Sequence, residues 1–208
     1  MLIDERLRGN NSGSPLHDFV SKVILIFKLV KEKTLFENLY RRILLKRLID
    51  CFDSYGVDNE LVVVNAMEEE CGEDWAKKIK GIVSLYVKNR DMVLKGKKGS
   101  VWSLGDLLPV VVEEDDWPFE QRQSNIELHP DIMALAPKFE KAYMPPTSNH
   151  KLFWSPYVGS VLLAIRFEGH TREVVVGVEM ANLLLHLQKG KKKLGNYLSE
   201  SGYKPDEV

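Results

Sequence analysis

The stretch Leu35–Ile49, LFENLYRRILLKRLI, decides the fold of the first half of this chain. Its apolar residues recur every three to four positions, which is the spacing of one face of an α-helix. The apolar stripe that this spacing predicts consists of Leu35, Phe36, Leu39, Tyr40, Ile43, Leu44, Leu48 and Ile49. The basic residues of the stretch, among them Arg41 and Arg47, fall on other faces. We therefore predict a long amphipathic helix from about Thr34 to Phe52.

Helical patterns flank this stretch on both sides. Ser14 and Pro15 form a helix start, because serine is a favoured N-cap and proline is tolerated at the first helical position. Two further helices are predicted at about Asp58–Glu70 and Glu73–Asn89, and Gly72 between them suits the residue that follows a helix end. The short connections predict a packed helical bundle.

The pattern changes after the lysine- and glycine-rich stretch Lys95–Ser100. The β-branched run Val110–Val112 predicts a strand. A helix is predicted at about 130–143, and Pro137 inside it indicates a kink or a late start. Three more strands are predicted, the last two as a hairpin: Leu152–Trp154, Ser160–Phe167 and Glu173–Val178. Helices are predicted to follow at Glu179–Leu187 and Lys191–Glu200.

These elements predict an α+β fold in which an N-terminal helical bundle precedes a small α/β domain with a β-hairpin and a partial winged-helix segment. The predicted boundaries are a flexible lead-in at 1–14, the helical bundle at 15–98, the α/β domain at 99–178 and the winged-helix segment at 179–208. The lead-in is rich in Gly, Asn and Ser, which is typical of loops.

The composition excludes several classes of protein. The chain has 208 residues, a formal charge of −1 and 44% apolar residues, which predicts a folded protein with no overall attraction to nucleic acid or membrane. Two cysteines, Cys51 and Cys71, are too few for a disulfide-rich scaffold and indicate reduced thiols. The polar N-terminus does not resemble a signal peptide. We expect a soluble intracellular protein, located in the nucleus and cytoplasm.

No motif for catalysis or cofactor binding stands out. The sequence has no phosphate-binding P-loop, no dinucleotide glycine motif, no HExxH and no GxSxG, and its five histidines are scattered. The carboxylates of Glu113–Asp116 are adjacent, so in an extended segment they point in alternating directions and cannot converge on one ion. We expect no catalytic residue, no cofactor and no metal ion.

Four motifs in a fixed order carry a resemblance to the cullin-homology family. The first is the Leu35–Ile49 helix, which is similar to the family's F-x-x-x-Y-R/A-x-x-L-A-x-R-L-L pattern. The others are Cys71-Gly72, the Trp117-Pro118-Phe119 motif after a strand, and Lys151-Leu152-Phe153-Trp154, which resembles the family's K-L-x-W. The resemblance covers about residues 16–205. Tyr40-Arg41 and Pro130-Asp131-Ile132 resemble the cullin-like subunit of the anaphase-promoting complex, whereas Cys71-Gly72 and Trp117-Pro118-Phe119 resemble the cullins proper, so the balance leans only slightly to the former.

This resemblance implies a non-catalytic scaffold of a RING-type E3 ubiquitin ligase. In the family, the cullin part positions a RING subunit, and that subunit binds the ubiquitin-charged E2. The RING subunit adds a strand to the sheet of the α/β domain. The residues that the resemblance places at this docking sheet are Val161, Leu163, Ile165, Val174 and Val176.

The apolar runs of the two hairpin strands agree with such docking. Nearly continuous apolar runs are typical of a sheet covered on both faces, and a free sheet edge can accept an added strand. We expect a RING subunit as partner, an E2 indirectly, and no membrane partner. Trp117 and Trp154 are predicted as packing anchors at the junction of bundle and sheet.

Two parts of the cullin pattern are missing. About 15 residues precede the predicted bundle, where cullins carry a long helical stalk, and the chain stops inside the first winged-helix unit. We therefore expect a fragment or a reduced form, and transfer neither adaptor binding nor neddylation. The alternative is a winged-helix nucleic-acid-binding protein, with Lys191–Lys193 as a short basic patch.

Overall fold

A computed structural model describes residues 2–9, 15–52, 56–98, 107–119, 128–144 and 149–188. The chain divides into two compact units, Met1–Phe119 and Glu120–Val208. The division within the chain follows Phe119, whereas the sequence placed the end of the bundle at residue 98. The four domain boundaries given above stay predictions.

The first unit is a bundle of helices, as predicted. The helices are α1 (Leu2–Leu7), α2 (Leu16–Lys28), α3 (Lys33–Asp50), α4 (Val57–Cys71) and α5 (Glu73–Lys98). Helix α4 ends at Gly72, whose φ of 88° is the positive value that glycine adopts without strain. Helix α2 begins one residue later than expected, after Pro15. Ser14, the expected N-cap, lies outside the described residues.

The core of this unit lies between α3, α4 and α5. Fully buried apolar side chains on these helices include Tyr40, Leu44, Leu48, Val64, Met67, Ile79 and Tyr86. Part of the apolar stripe predicted for α3 is therefore correct. The stripe is wrong at its N-terminal end, because Leu35 is 67% exposed and Leu39 is 46% exposed.

Residues 2–7 form helix α1, although the sequence predicted a flexible lead-in there. Ile3 and Leu7 are buried against the bundle. The Asp4 carboxylate accepts a hydrogen bond from Arg47 at 2.8 Å. A six-residue helix is too short to be stable by itself, so these tertiary contacts hold it in place.

The segment 107–119 lies on the bundle as irregular chain. Val110–Val112 form no strand, contrary to the prediction, and a short 3₁₀ turn follows at Glu114–Asp116. Val110, Val112, Trp117 and Phe119 are partly buried against the bundle core. These residues are apolar because they pack on helices, and apolar packing does not require strand pairing.

The described residues of the second unit form three α-helices and a hairpin. They are α6 (Pro130–Met133), α7 (Ala136–Tyr143), β1 (Ser160–Phe167), β2 (His170–Gly177) and α8 (Val178–Gln188). The predicted interruption near Pro137 is confirmed, since two short helices stand in place of one. The strand predicted at Leu152–Trp154 is wrong, because this stretch is irregular. The predicted helix Lys191–Glu200 lies outside the described residues.

None of the helices in the described part of the chain is long and apolar enough to cross a membrane.

Candidate docking edge for a partner strand

The hairpin brings all five predicted site residues onto one face. In the antiparallel register, Val161 pairs with Val176, Leu163 with Val174, and Ile165 with Arg172. Every second residue of a strand points to the same side, so these side chains form one apolar surface. On this face Val161, Leu163, Ile165 and Val176 are half-buried.

The opposite face of the hairpin is open. Leu162 and Val175 are cross-strand partners, and they are 60% and 67% exposed. The prediction of a sheet covered on both faces is therefore wrong for the described residues. Sequence reasoning missed this exposed pair because continuous apolar runs lack the alternation that distinguishes two faces.

A two-residue turn fixes the register. Phe167 and His170 flank Glu168 and Gly169, and Gly169 has a φ of 87°. No residue other than glycine has positive φ among the described residues, so the turn has the sign pattern of a type II turn. In an antiparallel pair, hydrogen-bonded and non-hydrogen-bonded residue pairs alternate along the strands. The pair that flanks a two-residue turn is hydrogen-bonded, which sets the alternation for the whole hairpin.

This alternation identifies the backbone groups at each outer edge. On β1 the N–H and C=O groups that point away from β2 belong to Ser160, Leu162, Ala164 and Arg166. On β2 the corresponding groups belong to Thr171, Glu173, Val175 and Gly177. Within the described ranges the sheet has two strands only, so each edge offers these groups without a neighbouring strand.

The edge of β1 is better suited to accept a strand than the edge of β2. The stretch 160–165 of β1 contains no charged residue, whereas β2 begins with His170 and carries Arg172 and Glu173. Charged side chains are a common means by which proteins prevent strand addition at an edge. We therefore take β1 as the candidate docking edge.

The elements around the hairpin hold it through buried contacts. Helix α8 packs against both strands and the 3₁₀ turn Pro156–Val158. Asn182 of α8 is fully buried, and its side-chain oxygen accepts a hydrogen bond from the backbone N–H of His129 at 2.6 Å. This bond ties the start of α6 to the helix that supports the hairpin.

Trp154 packs on α7 within the second unit. Its ring meets Phe139 edge to face at 5.9 Å, and its Nε1 donates a hydrogen bond to Glu140 at 2.5 Å. Trp117 packs on the bundle core, together with Phe119 at 5.1 Å. Trp117 is thus a packing residue of the first unit, whereas Trp154 stays 41% exposed beside its contacts, and their role at a junction stays a prediction.

The described residues contain no group of three or more potential metal ligands. Cys51 and Cys71 are half-buried free thiols. Burial raises the pKa of the Cys71 thiol, an effect that nearby Lys33 opposes. A raised pKa keeps this thiol protonated and unreactive near neutral pH.

Comparison with known proteins finds a similarity to one family. Residues 1–91 match the family model of the cullin alpha solenoid domain. Cullin-3 of Dictyostelium discoideum is 25% identical over 97% of this chain, and the match covers 27% of that protein. Cullin-1 of Oryza sativa subsp. japonica is 27% identical over 84% of this chain and 24% of its own length. Over most of its length the chain is thus similar to cullins.

The chain spans about a quarter of the length of the relatives it matches. Cullin-4A of Mus musculus, 25% identical over 90% of the chain, is another relative of this kind. These relatives are cullins, so the sequence details that favoured the anaphase-promoting complex subunit find no support in them. The nucleic-acid-binding alternative has no support either, and Lys191–Lys193 lie outside the described residues.

Proposed function

We propose that this chain is a non-catalytic scaffold in a RING-type ubiquitin ligase, and that the edge of β1 receives a strand from the RING subunit. The proposal depends on one observation above all: β1 has an uncharged edge whose outward backbone groups lack a neighbouring strand in the described part of the chain. The E2 is engaged indirectly, through the RING subunit.

Strand addition relies on the same kinds of interaction that hold the two strands of the hairpin together. Main-chain hydrogen bonds supply affinity, and side-chain contacts on the two faces select the register. An added strand also extends the apolar face formed by Val161, Leu163 and Ile165. A two-stranded hairpin is marginally stable by itself, so a third strand stabilises it further.

A proline substitution at Ala164 tests the docking edge. Ala164 is exposed, and its N–H points away from β2, so Ala164→Pro removes an edge donor without breaking the hairpin. The same change at Leu163 would remove a hydrogen bond to β2 and disturb the hairpin itself. Ala164→Val is the matched control because it keeps the N–H and suits a strand.

The measurement is the affinity of the full chain for a RING subunit from the same source. We expect Ala164→Pro to weaken binding at least about tenfold and Ala164→Val to leave it nearly unchanged. Hydrogen exchange at the β1–β2 amides checks that both variants keep the hairpin. Full binding by a folded Ala164→Pro variant would contradict docking at β1, and Val175→Pro would then test the edge of β2.

The scaffold role has its own test. We expect the chain, co-expressed with a RING subunit, to elute as a one-to-one complex that stimulates ubiquitin discharge from a charged E2. A folded chain that binds no RING subunit would contradict the scaffold role, whatever the outcome at Ala164.

A further inference from the structure

Helix α2 and its C-cap residue Leu29 carry three exposed aliphatic side chains on the outer side. Leu25, Ile26 and Leu29 are 65%, 61% and 81% exposed. Leu29 lies four residues after Leu25 and three after Ile26, so the three side chains are neighbours on the helix surface. We call these three residues the α2 ridge.

The ridge lies opposite the face by which α2 packs on the bundle. Val20 and Phe27 are buried on the inner face, and Val23 and Ile24 are half-buried beside them. Residues 23–27 of α2 are therefore all apolar and cover every side of the helix, between Lys22 and Lys28, of which Lys28 pairs with Glu70. A helix with this property is normally buried on all sides, which indicates that the ridge is covered in the native assembly.

The charges around the ridge are balanced and arranged as two opposite pairs. Asp18 and Lys22 precede it, and Lys31 and Glu32 follow it. None of these four side chains takes part in an ion pair within the described residues. Because these four charges cancel, they favour neither a strongly acidic nor a strongly basic partner. They do fit a second copy of the same surface, because each end can offer the opposite sign to the other.

We propose that the α2 ridge is a homodimer interface, in which α2 packs against α2 of a second copy in antiparallel orientation about a two-fold axis. In this orientation the start of one α2 faces the end of the other. Leu25 of each copy then faces Leu29 of its partner copy, and Lys22 approaches Glu32. A parallel arrangement would place like charges together, so the charge order selects the antiparallel one.

The first test is the mass of the full chain in solution, measured by sedimentation equilibrium over a range of concentrations. We expect a reversible dimer whose dissociation constant rises at least about tenfold in Leu29→Lys. Asn65→Lys adds the same charge at an exposed position of α4 and should leave the dimer intact.

The second test uses the charge pairs. Lys22→Glu and Glu32→Lys should each weaken the homodimer, because each creates two like-charge contacts across the two-fold axis. A mixture of the two variants should form a heterodimer in preference to either homodimer, since both contacts are then attractive. A structural role for these surface residues within one copy would not produce this preference.

Several results would overturn the proposal. A chain that stays monomeric at all concentrations has its ridge covered by something other than a second copy. A dimer unaffected by Leu29→Lys uses another surface. If Leu29→Lys instead abolishes binding of a RING subunit while self-association is unchanged, the ridge belongs to that partner.

Discussion

Arg47 and Glu60 form an ion pair in which neither side chain has solvent-exposed surface. One guanidinium nitrogen of Arg47 donates to both carboxylate oxygens of Glu60, at 2.9 and 3.0 Å. The Tyr40 hydroxyl donates to the same carboxylate at 2.5 Å, and a second Arg47 nitrogen donates to Asp4 at 2.8 Å. The pair therefore joins α1, α3 and α4 at one point inside the bundle.

Removing one partner of this pair should destabilise the bundle strongly. Arg47→Met leaves the Glu60 carboxylate buried without its cation, for which we expect a loss of about 3–5 kcal/mol in the free energy of unfolding. The double variant Arg47→Met/Glu60→Leu should lose less than the two single losses combined. Urea unfolding followed by circular dichroism measures both, and Lys46→Met, at an exposed neighbouring position, should change stability little.

Asp4 should make stability depend on pH in the acid range. Burial alone would raise the pKa of Asp4, but hydrogen bonds and charges from Arg47 and Arg8 outweigh it and hold that pKa below its usual range. The ionised form is thus favoured in the folded state, so its contribution is complete above the ordinary Asp pKa. It is lost as the pH falls through the lowered folded value.

The check is a comparison of wild type with Asp4→Asn at several pH values. We expect the variant to be less stable near neutral pH by about 1–2 kcal/mol, with the difference shrinking toward zero in strong acid. Asp115→Asn, which changes an exposed aspartate outside any ion pair of the described residues, is the control. A constant difference at all pH values would contradict a role for the Asp4 charge.

Asn182 should hold the start of α6 against α8. In Asn182→Ala the buried N–H of His129 loses its acceptor, and we expect a cost of about 1–3 kcal/mol. The readout is hydrogen exchange, in which the His129 amide should exchange faster than in wild type. Gln188→Ala, at an exposed position of the same helix, should leave this amide protected.

Gly169 should matter for its backbone conformation alone. Its φ is 87°, and a Cβ built there meets nothing within 4 Å, so Gly169→Ala adds backbone strain without a steric clash. We expect the hairpin to lose about 1 kcal/mol, seen as faster exchange of the β1–β2 amides. Gly177→Ala is the matched control, because its Cβ also meets nothing and its φ is not positive. Equal effects of the two changes would contradict this explanation.

The bundle could be predicted from the sequence because its helices are long and periodic. The stripe on α3 identified the helix and its central buried residues. Helix α1 could not be predicted, since six residues are too few to show a period and their order depends on Arg47, more than 40 positions away. Arg47 itself was placed on a face other than the apolar stripe, and it is fully buried because Glu60 and Asp4 neutralise it.

The hairpin shows a different limit of prediction from the sequence. Its two apolar runs and its turn were visible in the sequence, and the five candidate site residues do share one face. The start of β2 was placed three residues too late, because His170, Thr171 and Arg172 are polar and resemble a turn. Val110–Val112 were taken for a strand because β-branched residues favour extended chain whether or not a neighbouring strand is present.

The separation of contacts along the chain has a consequence for the order of folding. The strands of the hairpin meet across a two-residue turn, and such hairpins form in about 1–10 μs. The Asp4–Arg47 contact closes a loop of 43 residues and needs α3 and α4 already in position. The edge that we assign to the partner strand should therefore exist before α1 has docked, and α1 should be the first helix of the bundle to detach.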